Sequence, residues 1–213
     1  MNPYHFDERY DETVRLDDGT VVHLRLIGPE DKALLLDGFA RLSPASRYRR
    51  FFAAKRDLSP EELRYFTEFD GKNHLAIGAV RVRGDRLEEG LGVARFVRLP
   101  DEPKVAEAAV VVVDEYQNKG LGHLLLLRLV AAARERGVER FRATTLADNP
   151  AARALMTDLG AEASSSREDD TLSVDMALPD APPSAGEMPQ ESSLYRLFQA
   201  VARGIAEVIQ THG

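Results

Sequence analysis

Apolar and polar positions change period several times along this chain, and each change marks a predicted element. Thr13-Val14-Arg15-Leu16 and residues 21–27 alternate around Asp17-Asp18-Gly19-Thr20, whose Asp-Gly step is hairpin-turn chemistry, so a β-hairpin opens the chain. Gly28-Pro29-Glu30-Asp31 starts a helix through about Arg41, with proline in the first turn and acids at its positive end. Ser43-Pro44 starts a second helix to about Ala54. Ser59-Pro60-Glu61-Glu62 starts a third, with Ser59 and Glu62 at capping-box spacing. Residues 74–82 and 90–98 then alternate or run apolar around Arg83-Gly84-Asp85-Arg86, and read as an antiparallel pair with residues 105–113 as third partner.

Within that third partner, residues 108–113 are β-branched or small and uncharged, which suits a strand buried on both faces. From His123 the chain is rich in helix formers, Leu124-Leu125-Leu126-Leu127-Arg128-Leu129-Val130-Ala131-Ala132-Ala133, and Gly137 is its stop. Gly120 and Gly122 therefore sit at a strand-to-helix junction. The first N–H groups of a helix lack intrahelical partners and carry the positive end of its dipole, so they attract phosphate. Glycines there let a pyrophosphate reach the backbone, and Lys119 adds a cation. On spacing alone an ordinary glycine turn fits as well. Residues 140–146 follow as a strand, Asn149 and Pro150 as cap and first residue of a helix ending at Gly160, and residues 171–178 as a last strand reached through a polar turn at 164–170.

Composition changes the picture in three places. Pro179, Pro182, Pro183 and Pro189 fall among small and acidic residues, which predicts a linker at 179–192 after a domain at 1–178. Beyond it Leu194, Leu197, Phe198, Val201, Ile205, Val208 and Ile209 give residues 193–213 the apolar face of an amphipathic helix. That helix could dock on its own domain, form a homodimer, or meet another protein or a membrane surface. The chain has no cysteine, which removes disulfides, thiolate metal sites and cysteine nucleophiles, and its five histidines are too scattered for a sequence-local metal motif. A net charge of −7 argues against general nucleic-acid binding and suits cationic acceptors. With no apolar run near membrane length and no signal-peptide core, a cytoplasmic, non-membrane protein is expected.

Gln117-Asn118-Lys119-Gly120-Leu121-Gly122 resembles the Gln/Arg-x-x-Gly-x-Gly/Ala pyrophosphate loop of the GCN5-related N-acetyltransferase (GNAT) superfamily, in the same place between a central strand and a long helix. The Walker and dinucleotide patterns fit worse, lacking Gly-Lys-Ser/Thr and a third spaced glycine. The resemblance covers about residues 13–178. It implies an α/β fold with a mixed, mostly antiparallel central sheet flanked by helices, and acetyl-CoA as cofactor. The implied reaction is acetyl transfer to a primary amine.

On that resemblance Glu107, in its Ala-Glu-Ala context, corresponds to the general base; a solvated strand-end acid is the structural alternative. Main-chain groups of Val111, Val112 and Val113 would face the pantetheine arm, Gln117, Asn118, Lys119, Gly120, Leu121, Gly122 and His123 the pyrophosphate, and Asn149 the cofactor side. Met156 stands where many members carry a tyrosine general acid, which leaves the acid open. Arg41-Leu42-Ser43-Pro44-Ala45-Ser46-Arg47-Tyr48-Arg49-Arg50-Phe51-Phe52 is similar to the signature of the bacterial protein-lysine acetyltransferase (Pat) branch. Without that resemblance it is a helix with Tyr48, Phe51 and Phe52 inward and its arginines solvated. The expected partner is a protein with an acceptor lysine, or a small amine. The rivals are a small-amine or N-terminal acetyltransferase and a non-catalytic acyl-CoA sensor.

Overall fold

The opening hairpin forms around Gly19, at φ 85°, with Val14 opposite Val22 and Arg15 opposite Val21. The computed structural model describes residues 5–16, 18–51, 55–83, 87–117, 119–146, 164–168 and 171–179. Its strands are β1 (Asp11–Arg15), β2 (Val21–Leu26), β3 (His74–Arg83), β4 (Leu87–Arg98), β5 (Val105–Val112), β6 (Arg140–Leu146), β7 (Ser164–Glu168) and β8 (Thr171–Ala177). Its helices are α1 (Lys32–Ala40), α2 (Pro44–Phe51), α3 (Pro60–Thr67) and α4 (Leu121–Glu135). The described strands make one sheet in the order β1-β2-β3-β4-β5-β6-β8-β7, antiparallel throughout except between β5 and β6. This is the mixed, mostly antiparallel sheet with flanking helices that the resemblance implies.

Three boundaries move, each for a physical reason. The first helix opens as a 3-10 turn, Pro29–Asp31, because the Asp31 carboxylate accepts the Gly28 N–H at 2.8 Å and is clamped by Arg25 at 2.7 and 2.8 Å. Strand β4 begins at Leu87 rather than Gly90. Its Glu88 and Glu89 are neutralised by Arg25, Arg81 and Arg41, so charge does not end the ladder. The polar segment 164–170, predicted as a turn, instead supplies β7, paired antiparallel to β8. At the sheet's edge a strand is held by main-chain bonds and needs no apolar alternation, which is why a Ser-rich run hides it. The predicted helix at 149–160, the linker and the helix at 193–213 lie outside the described residues, as do Asn118, Asn149 and Met156.

The two faces of the sheet are covered differently. Helix α4 presses Leu121, Leu125 and Leu129, all fully buried, onto β3, β4 and β5. On the other face α1 packs against β4, and Gly90 makes that approach possible, since a Cβ there would lie 3.2 Å from the Leu34 carbonyl. The faces exchange at a bulge. Ala79 pairs with Gly92 and Val80 with Gly90, so Leu91 is an extra residue in β4. No helix among the described residues is long and apolar enough to cross a membrane.

Candidate active site

The parallel ladder between β5 and β6 is three residues long, Val105↔Arg140, Ala106↔Phe141 and Glu107↔Arg142, although both strands continue. Beyond Glu107 the edge of β5 that faces β6 has no ladder partner among the described residues. Which main-chain groups point there follows from the antiparallel pairing on its other edge. The Val113 N–H donates to the Leu91 carbonyl at 2.9 Å, and a Cβ on Gly92 would meet the Val111 carbonyl at 2.9 Å. Residues 111 and 113 therefore turn toward β4, and Val110 and Val112 toward the gap. Of the three valines named for the pantetheine arm, Val112 turns toward the gap and Val111 and Val113 toward β4. Val113 is also engaged at its carbonyl, which accepts the Tyr116 N–H at 2.9 Å. Val110, which sequence reasoning did not single out, turns to the same edge as Val112. The signal would have been the two-residue period, once one pairing direction was known.

At the end of β5 a 3-10 turn, Asp114–Tyr116, leads into the glycine loop. Gly120 is the N-cap of α4 at φ 81°, ψ −11°, a left-handed conformation that costs other residues about 1–2 kcal/mol. No side chain among the described residues caps the helix there, and its first bond runs from the Leu124 N–H to the Gly120 carbonyl at 3.0 Å. The N–H groups of Leu121, Gly122 and His123 thus precede the helical ladder at the positive end of a fifteen-residue helix, which is anion-binding geometry. Lys119 stands beside them, ion-paired to Asp18 of the β1–β2 turn at 3.0 Å and 4.7 Å from the Tyr116 ring centroid. Thr20 and then Lys119 hold the Asp18 carboxyl down to about 2. His123 occupies the first turn, and burial lowers its pKa, which favours the neutral imidazole. Gly120→Ala is expected to weaken coenzyme A binding about tenfold, by straining this turn. Calorimetry measures it, and an unchanged Kd would remove the loop from the binding site.

Gln117 closes the loop onto the strand. Its Nε2 donates to the Val112 carbonyl at 3.0 Å and lies 3.5 Å from the Ser46 hydroxyl. Ser46, fully buried, donates in turn to Asp114 Oδ1 at 2.7 Å, while the N–H and hydroxyl of Ser43 donate to the same carboxylate at 2.7 and 3.1 Å. Burial opposes the charge on Asp114, but these bonds outweigh it and hold the carboxyl below its usual range. The two serines of the Arg41–Phe52 stretch thereby tie α2 to the turn before the glycine loop. Two other expectations for that stretch are corrected. Tyr48 is 47% exposed rather than inward. Arg47 is not solvated: it donates to the Leu42 and Ala40 carbonyls at 3.0 and 2.9 Å, capping the C-terminal end of α1, and stacks 4.6 Å from the Phe39 centroid. Phe51 packs against the core as expected.

Glu107 lies where the β5–β6 ladder ends, on the face of β5 opposite α4, and is half-buried rather than a solvated strand end. Burial raises its pKa above the ordinary carboxylate range, and the charges of Arg142 and Arg95 pull it only part of the way back. Arg142, directly opposite in register, is already committed. It donates to Asp175 at 2.6 and 2.7 Å and to Glu102 at 2.7 and 3.3 Å. Among the described residues no hydrogen bond or ion pair fixes the Glu107 carboxylate. That leaves a half-buried carboxyl with a raised pKa at the mouth of the gap.

A strand pair whose ladder ends at a half-buried carboxyl, followed by a glycine-capped helix N-terminus, is the arrangement that the resemblance implies for binding acyl-coenzyme A. The comparisons agree. The profile of the acetyltransferase (GNAT) family matches residues 33–161. Acetyltransferase Pat of Mycolicibacterium smegmatis is 33% identical over 196 residues, 92% of this chain and 56% of that protein. Acetyltransferase PA5475 of Pseudomonas aeruginosa is 32% identical over 145 residues, 68% of this chain and 77% of that protein. The GNAT domain of S. lividans PAT superposes with a TM-score of 0.68 at 28% identity, over 82% of this chain and 100% of that one. This chain belongs to the acetyltransferase (GNAT) family. It spans little more than half the length of the M. smegmatis relative. Acetyl-CoA is the family's cofactor, and the open edge of β5, the uncapped start of α4, Gly120, Gly122 and Lys119 fit its pantetheine and pyrophosphate.

Proposed function

We propose that this protein transfers the acetyl group of acetyl-CoA to a primary amine, a protein lysine, with Glu107 as general base. The observation that carries the proposal is the position of Glu107: unpaired among the described residues, raised in pKa, and placed where β5 leaves β6. Acetyl-CoA supplies an acetyl group already activated as a thioester, whose C–S bond breaks as the amide C–N bond forms. What the chain must add is a neutral amine, a polarised carbonyl and alignment. Glu107 takes the proton of the incoming ammonium, directly or through one water. The Val110 and Val112 main chain, turned into the gap, aligns the pantetheine, while the N–H groups of Leu121, Gly122 and His123 and the Lys119 ammonium hold the pyrophosphate. The departing thiolate needs little assistance, because a thiol of pKa about 8.5 is a tolerable leaving group near neutral pH.

Lysine as acceptor is supported by the likeness of the Arg41–Phe52 stretch to the protein-lysine branch, and by the anchoring of that stretch beside the cofactor loop through Ser43, Ser46 and Asp114. A panel of acceptors with radiolabelled acetyl-CoA tests it. Transfer to lysines of a protein substrate is expected. Transfer to polyamines or to protein N-termini alone would overturn the acceptor, and coenzyme A binding without transfer to any amine would favour a sensor.

A further inference from the structure

Helix α2 borders the face of the sheet on which Glu107 lies. Its Phe51 lines one cleft with Ala109 and Val111, which follow Glu107 on the same face of β5, so an amine that reaches Glu107 from this side passes the helix. Toward its C-terminal end α2 is held by its neighbours: Phe51 meets the Phe39 and Phe66 rings at 5.6 and 6.4 Å, and Arg47 donates to the Ala40 and Leu42 carbonyls. Its N-terminal end is held from the cofactor side. There the N–H of Ser43 and the hydroxyls of Ser43 and Ser46 converge on the Asp114 carboxylate, in the turn between β5 and the glycine loop. We infer that Asp114 is a positioning residue for the acceptor: through Ser43 and Ser46 it sets where α2 stands beside the Glu107 face, and with it how well the amine is recognised. The inference rests on the acyltransferase reading of this site and adds to it a residue that governs one substrate and not the other.

The bonds at Asp114 are of the strong kind, since an ionised acceptor shortens and strengthens each of them. Ser46 is fully buried, so water does not take the place of the carboxylate when it is removed. The turn itself does not depend on α2. The Val113 N–H is held by the Leu91 carbonyl, the Tyr116 N–H by the Val113 carbonyl, and Gln117 Nε2 reaches back to the Val112 carbonyl. Gly120 and the start of α4 follow beyond these bonds. Loss of the Asp114 carboxylate therefore releases the N-terminal end of α2 and leaves the cofactor loop in place. Neighbouring Glu115 makes the control: it bonds Arg41 at 3.1 Å but is exposed, so water competes for it.

Asp114→Ala, Ser46→Ala and Glu115→Gln test the inference, in steady-state transfer from acetyl-CoA to whichever amine of the acceptor panel is fastest, with calorimetric Kd values for coenzyme A. Asp114→Ala is expected to raise the acceptor KM about tenfold and Ser46→Ala about threefold, while coenzyme A affinity stays at the parent value. Glu115→Gln should change neither. A fold that is only weakened lowers the active fraction, and with it the apparent kcat, at constant KM, so the split between KM and kcat separates positioning from stability. Parent affinity for coenzyme A shows that a variant is folded, and where Asp114→Ala does not fold, Ser46→Ala decides by the same readout. An unchanged acceptor KM in the folded variants, or a loss of coenzyme A affinity equal to the loss of kcat/KM, would overturn the assignment while leaving acetyl transfer standing. Absence of transfer by the parent protein to every amine of the panel would overturn the acyltransferase reading, and the assignment with it.

Discussion

Glu107→Gln is expected to lower acetyl transfer by about 10²- to 10⁴-fold, the contribution of a positioned general base, while coenzyme A affinity stays unchanged. The amide keeps the size of the carboxylate and loses only its capacity to take a proton. A pH profile separates this from a packing effect. Because burial lifts the Glu107 pKa, the parent enzyme's rate should rise as pH passes through that raised value, and the variant should lack this limb. Stability should move the opposite way. A carboxyl whose pKa is higher folded than unfolded binds its proton more tightly in the native state, so the native state loses stability as pH rises through that range. Glutamine removes this loss, and the variant should melt at a higher temperature than the parent at neutral pH. Unchanged turnover would exclude Glu107 as the base. A fall in coenzyme A affinity equal to the fall in rate would make it a binding residue instead.

Much of the scaffold is written locally and was legible for that reason. The Asp18-Gly19 turn, the Ser59 and Glu62 capping box, and the glycine stop at Gly137 each rest on residues within four positions, and each appears where the sequence puts it. The same holds for the cofactor loop, because Gly120 needs only its own φ and the helix that follows. What the sequence could not show depends on partners far along the chain. Asp114 is an ordinary turn acid until Ser43 and Ser46, roughly seventy residues earlier, donate to it. Arg142 and Asp175 meet only because β8 returns beside β6. The strand assignment of 105–113 was right to one residue, yet its period does not say which edge meets β4, so which valines turn toward β6 was not legible. Tyr48 went astray for a related reason: a large aromatic in a short helix reads as core, while the inward positions belong to Ser46 and Phe51.

Arg128→Ala is expected to destabilise the fold by about 3–5 kcal/mol, the largest stability loss we anticipate from a single change. Arg128 of α4 donates from Nε and Nη2 to both oxygens of Glu12 on β1, at 2.7 and 2.6 Å, and the Tyr10 hydroxyl adds a bond of 2.9 Å. Glu12 is 5% exposed, so removing the guanidinium leaves a carboxylate in a place where water cannot replace the lost partner. The exposed Lys104–Glu139 pair makes the contrast, since water screens it and its loss should barely change stability. Urea unfolding of both variants measures the difference. A third variant decides its origin. Burying a charge pair is itself expensive, so Glu12→Met with Arg128→Met should recover most of the stability that Arg128→Ala loses. Recovery would identify the cost as the stranded Glu12 charge. A double variant as unstable as Arg128→Ala would instead mean that the directional bonds themselves hold β1 to α4.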